Sequence, residues 1–151
     1  MIKKGSGLQR FGGDVTVNQT ISVAGGTAIF DGAVSASAVN VAEGAAIGGS
    51  GAISTSLNFV GDSKLAARVV GKTLAGPMAA ASVAAAGATI TVAADAGWKG
   101  DACVLRVTGD GETLSGVSFA KGDNIGALRL SADGTELWAT ARISAMMIVI
   151  R

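Results

Sequence analysis

Any chemistry in this chain has to come from carboxylates. The sequence holds 11 Asp and Glu, no His and one Cys. Without imidazole there is no side chain that titrates near neutrality unaided, and neither a Ser-His-Asp nor a Cys-His arrangement can be assembled. Two acid pairs are close in sequence: Asp110 with Glu112 on a Gly-rich turn, and Asp133 with Glu136 around a second turn. A glycosidase sets two carboxylates across a cleft. Such clefts also hold sugar rings against aromatics, and this chain has two Trp, four Phe and no Tyr. Calcium needs several clustered oxygens. Asp110-Gly111-Glu112 and Asp123-Asn124 offer some, but without EF-hand or nonapeptide spacing, so they read as solvated turn acids. Gly71-Lys72-Thr73 has the last residues of a phosphate loop, but Ala66 stands where its first Gly is required. Cys103, beside Ala102, Val104 and Leu105, reads as a small buried thiol in a strand. These residues imply no catalytic site, no cofactor and no metal: the expected protein is not an enzyme.

The elements that would position these side chains are strands. The 151 residues are 49% hydrophobic but only 15% charged, with 23 Gly and one Pro. An ordinary soluble domain carries roughly 25% charged residues. Charge-poor surface is what subunit interfaces have, so burial against sister chains is expected. The net charge of +1 gives no bulk attraction to nucleic acid or to a membrane surface. Lys3, Lys4 and Arg10 nevertheless precede the first acid, Asp14. The uncharged stretch Thr73 to Ala94 is too rich in Ala, Gly and Pro to read as a membrane span. It reads as an apolar linker or a short helix near Met78–Ala86.

Four zones follow: residues 1–13 as an N-terminal arm or a short leading strand, 14–72 as a repetitive β region, 73–84 as an Ala-rich joint and 85–151 as a C-terminal β-module. The β region has an internal period. Ile21-Ser22-Val23, Val39-Asn40-Val41 and Leu57-Asn58-Phe59 start 18 residues apart, and Ile29, Ile47 and Leu65 follow at the same spacing. The small-residue strands at Ala33–Ser37 and Ala52–Ser56 are related with a one-residue slip. A fixed period of this length marks a stack of units, none of which buries its own apolar face. The expected fold is all-β: a repetitive β-stem or short β-solenoid, then a compact antiparallel β-sandwich or jelly-roll-like module, intertwined as a trimer. Packing within that trimer and core falls to Ile21, Val23, Val39, Val41, Leu57, Phe59, Trp98 and Trp138, with Ile148 and Ile150 in a last strand.

The C-terminal zone ends in Leu130-Ser131-Ala132-Asp133-Gly134-Thr135-Glu136-Leu137-Trp138, where Asp-Gly predicts a tight two-residue hairpin turn. This hairpin follows the alternating strand Cys103–Val107 and a Gly-rich turn, over roughly residues 85–142. It resembles the small β-module common at the ends of tailed-bacteriophage fibres, spikes and head-decoration proteins. That resemblance implies a homotrimer on the surface of a virion, made in the host cytoplasm. In a chain of this length it implies a head-decoration, cement or short head-fibre protein that contacts the major capsid protein. Lys3, Lys4, Arg10 and Phe11 are then the expected capsid contacts. The alternatives are a tail-fibre or spike module that binds a host receptor or glycan, and a carbohydrate-active domain.

Overall fold

The computed structural model describes residues 1–142, and all their regular elements are strands. The strand expected over Ile143 to Ile150, with Ile148 and Ile150, lies outside the described residues. Nine strands lead: β1 (Ile2–Lys3), β2 (Leu8–Phe11), β3 (Val15–Thr16), β4 (Ile21–Val23), β5 (Thr27–Phe30), β6 (Ala33–Ser35), β7 (Val39–Val41), β8 (Ala46–Gly48) and β9 (Ala52–Phe59). Nine follow: β10 (Lys64–Ala67), the short hairpin β11 (Val69–Val70) and β12 (Thr73–Leu74), β13 (Met78–Ala84), β14 (Thr89–Ala94), β15 (Asp101–Val107), β16 (Ser118–Lys121), β17 (Ile125–Leu130) and β18 (Glu136–Ala141). They build two main sheets. The smaller has six strands in the order β16-β14-β10-β8-β5-β2 and is parallel throughout. The larger has ten, β1-β4-β7-β9-β13-β15-β18-β17 with β3 and β6 alongside, and only its last two steps are antiparallel.

Parallel pairing explains the period, because a parallel partner can be reached only after the chain has crossed over and returned. Ile21, Val39 and Leu57 are register partners, as are Val23, Val41 and Phe59, each pair 18 residues apart. All six are buried in the space between the sheets. Asn40 and Asn58 pair in the same ladder, and the Asn58 side-chain amide donates to Asn40 Oδ1 at 2.8 Å. Ala33 and Ala52 pair 19 residues apart, which is the one-residue slip.

In the smaller sheet the spacing of Ile29, Ile47 and Leu65 holds only in part. Ile47 pairs with Leu65, but Ile29 lies opposite Gly48, and the partner of Ile47 is Ala28. The reason is steric. A Cβ on Gly48 would fall onto the Ala66 carbonyl and lie 3.2 Å from Ile29 Cδ1. Ile29 fills the room that Gly48 leaves.

Three expected boundaries change. Of the two expectations for residues 1–13, the leading strand holds and the arm does not, because β1 and β2 lie at the ends of the two sheets' strand orders. The Ala-rich joint is neither linker nor helix. Thr73–Leu74 form β12, and Met78–Ala84 form β13, which lies between β9 and β15 in parallel register and buries Met78, Ala80 and Val83. Pairing on both sides overrides the helix preference of Ala. The C-terminal zone is not a separate antiparallel module. β14 pairs with β10, β15 with β13 and β16 with β14, all in parallel, so the same two sheets run on. Only β17 and β18 turn antiparallel.

Replacing Leu57 with Ala leaves a cavity in the closed interior and is expected to cost about 2–5 kcal/mol. Gly48→Ala forces backbone apart and is expected to cost about 1–3 kcal/mol. Urea unfolding monitored by circular dichroism checks both. A Gly48→Ala midpoint equal to that of the unsubstituted chain would show that this close approach does not exist.

Candidate interaction surfaces

The four expected capsid contacts sit on the first strands, and the fold treats them differently. Lys3 is in register with Val23, at the end of the inner row Val23–Val41–Phe59. Its side chain is buried, not offered to a partner. Nζ donates to the carbonyls of Lys4 (2.9 Å), Gly5 (3.3 Å) and Gly25 (3.3 Å). Lysine supplies three donors, and here three backbone acceptors close the end of an apolar row. Arg10 is engaged as well: Nε donates to Asp31 Oδ2 at 2.6 Å. The pair is open to water on the Arg10 side, so its worth is below about 1 kcal/mol. Phe11 stacks on its register partner Phe30, with ring centroids 4.9 Å apart and planes within 8°. Of the four, only Lys4 is both exposed and uncommitted among the described residues.

Spacing could not have shown Asp31 as the partner of Arg10, because the two meet only through the β2–β5 register. Ile2 and Leu8 carry no signal in spacing or motif either. Each keeps 61% of its surface exposed on these first strands.

The two Trp part company. Trp98 is buried, and its Nε1 donates to the Asn124 carbonyl at 2.9 Å. The Asn124 amide in turn donates to the Ala94 carbonyl at 2.8 Å, which ties the loop before β17 to β14. Trp138 is on the outer face of β18 and only half-buried. Alternation puts Leu137 and Ala139 inward and Glu136, Trp138 and Thr140 outward. The Arg129 guanidinium lies 5.3 Å from the Trp138 ring centroid, and the indole donates to Glu136 Oε1 at 3.3 Å. Glu136 also pairs with Arg106 at 2.6 Å, while Asp101 meets Thr140 and, at 3.8 Å, Arg129. This cluster arises from the pairing of β15, β18 and β17.

The hairpin before Trp138 is present, but its turn is longer than two residues. Leu130 pairs with Leu137, and Ser131 to Thr135 form the loop. Asp133 organises it. Its Oδ1 accepts from Ser131 Oγ (2.7 Å), Thr135 N (3.1 Å) and Thr135 Oγ1 (2.8 Å). Gly134, at φ 76°, packs against Ser115, and its carbonyl accepts from Leu114 N at 2.7 Å. The three hydrogen bonds, that from Ser131 first, hold the Asp133 carboxyl at a pKa of about 2.

Asp133 and Glu136 therefore have separate partners. Asp133 serves its own loop and Glu136 serves Arg106 and Trp138. Among the described residues no three His, Cys, Asp or Glu side chains come together to hold a metal ion. No helix there is long and apolar enough to cross a membrane. The Cys103 thiol is half-buried and donates to the Leu105 carbonyl at 3.5 Å. Burial, with the Glu136 charge second, raises its pKa and keeps it in the less reactive thiol form. No protein-family model, no curated protein and no solved structure matches the chain.

A depressed carboxyl pKa favours the folded loop above the unfolded value of 3.8 and ceases to do so as pH falls through about 2. NMR titration of the Asp133 side chain is expected to give a midpoint near 2, moving toward the ordinary Asp range in Ser131→Ala. An ordinary midpoint in the unsubstituted chain would show that the loop does not hold its carboxylate as described.

Proposed function

We propose that this chain is a non-enzymatic structural protein of a virion, a short β-solenoid that decorates or stabilises a phage capsid as a homotrimer. The observation that carries the reading is the parallel stack, in which β2, β5, β8, β10, β14 and β16 follow one another through a single sheet. A chain arranged this way is a rod-like scaffold whose ends and faces are surfaces for neighbours. Two of the carboxylates fit the same reading, since Asp133 is committed to its own loop and Glu136 to Arg106. With Lys3 buried and Arg10 paired to Asp31, contact with the shell falls to surfaces other than a free basic arm.

A second reading, binding of a host receptor or glycan, is favoured by one observation. Trp138 stands half-exposed on the outer face among Arg129, Glu136 and Asp101, which pairs an aromatic surface with hydrogen-bonding groups.

Light scattering on the purified chain is expected to give a mass that is a multiple of three times 14.7 kDa. A monomer would end the structural reading in this form. In a Trp98→Phe variant, where Trp138 alone fluoresces, the structural reading expects no change of emission with oligosaccharides. A saturable change would favour the second reading.

A further inference from the structure

We propose that the outer face of β15, β18 and β17 takes neutral saccharides at Trp138. Adjacent hydroxyls of one sugar bridge Arg129 and Asp101, and its C–H face lies on the indole. The inference rests on the second reading above, binding of a host receptor or glycan, and gives the glycan its chemical class.

Strand register brings the groups together. Thr140 pairs with Asp101 on one side and Ala127 on the other, and Trp138 pairs with Cys103 and Arg129. Asp101 and Arg129 thus stand on the two strands that flank β18. Their side chains meet across it, but the contact is open: Arg129 Nη2 is 3.8 Å from Asp101 Oδ2. A hydrogen bond needs roughly 2.7–3.2 Å. The other two ion pairs among the described residues, Arg10 with Asp31 and Arg106 with Glu136, are closed at 2.6 Å. The Thr140 hydroxyl occupies Asp101 Oδ1, not Oδ2. Both side chains are about half exposed, at 55% for Arg129 and 49% for Asp101. A guanidinium donor and a carboxylate acceptor therefore face solvent side by side, too far apart to satisfy each other.

The occupant follows from that open pair. A hydroxyl donates and accepts at once, so its oxygen satisfies both groups when seated between them. A trans peptide group carries its N–H and C=O on opposite sides and meets only one of the two. Charge separates a neutral sugar from an acidic one. Arg106 and Arg129 are matched by Glu136 and Asp101, so these four groups sum to zero. A sugar carboxylate drawn to Arg129 would stand beside the Asp101 carboxylate and be repelled by it. The indole supplies the apolar half of the site. Its one polar atom, Nε1, is engaged by Glu136 at 3.3 Å, so the half-exposed part offered to a ligand is ring carbon. Arg106 holds Glu136 in turn at 2.6 Å. The ring is thus oriented before a ligand arrives, which lowers the ordering cost of binding.

NMR of the full chain tests this, because its two Trp give two indole N–H signals and Trp98→Phe identifies that of Trp138. Methyl glycosides of glucose, galactose and mannose are the neutral probes. Methyl glucuronide keeps the glucose ring and adds a charge. A neutral probe is expected to move the Trp138 signal saturably and to leave the Trp98 signal in place. Arg129→Met, which keeps the apolar stem, and Asp101→Ala are the variants, with circular dichroism expected to be unchanged in both. Each removes hydrogen bonds to a charged group and is expected to raise the half-saturating concentration at least about tenfold. That result supports the inference and the second reading together. Glucuronide binding at a concentration equal to or below that of every neutral probe overturns the neutral class and leaves the second reading standing. A neutral probe that either variant binds as tightly as the unsubstituted chain overturns the seat between Arg129 and Asp101 and also leaves the second reading standing. No movement with any probe overturns both the inference and the glycan form of the second reading.

Discussion

The rest of the structure depends on the spacing between parallel strands. Stacked strands lie roughly 4.7–4.9 Å apart, so each inward residue rests on the one a full crossover earlier. The inner rows are therefore continuous contacts of Ile, Val, Leu and Phe: Ile21 on Val39 on Leu57, and Val23 on Val41 on Phe59. The same spacing leaves no room where two backbones close in. Gly48 faces the Ala66 carbonyl so closely that a methyl group is excluded. Register, small side chains and the glycine at position 48 are thus one requirement.

That requirement also accounts for where the charge lies. β3, β4, β6, β7, β9 and β13 contain no charged residue, and their outward positions include Ser22, Ser35, Asn40, Ser54 and Asn58. Like charges repeated at strand spacing would repel along the whole sheet. Amides and hydroxyls can instead join up, as the Asn58 amide does with Asn40. Charge concentrates at corners, in loops and on β15, β17 and β18, where antiparallel pairing sets Arg106 against Glu136 and Arg129 beside Trp138. Lys3 is the exception inside, and it is held by carbonyls rather than by an acid.

Much of this was legible in the residues. The 18-residue recurrence of Ile21, Val39 and Leu57 is the register itself, and the slip between Ala33 and Ala52 is the longer crossover of the neighbouring strands. The hairpin at Asp133-Gly134 was visible as a turn, though its length was not. Asp133 binds Thr135 and Ser131 together and so stabilises a loop that dipeptide preference does not anticipate. The candidate surfaces were less legible. Arg10 looked free until β2 lay beside β5, and Lys3 looked like part of a basic arm until β1 lay beside β4.

The sequence by itself determined the all-β class and that apolar residues recur at the crossover length. It also determined that no imidazole is available for chemistry. These are local properties, carried by side-chain type and spacing along one segment. Tertiary structure alone decided that residues 78–84 are a central strand and that β14, β15 and β16 extend the first two sheets. It also decided that Ile2 and Leu8 are exposed on β1 and β2. The physical reason is that a strand's alternation shows which of its faces is apolar, but not which strand it pairs with. In parallel pairing that partner is a full crossover away.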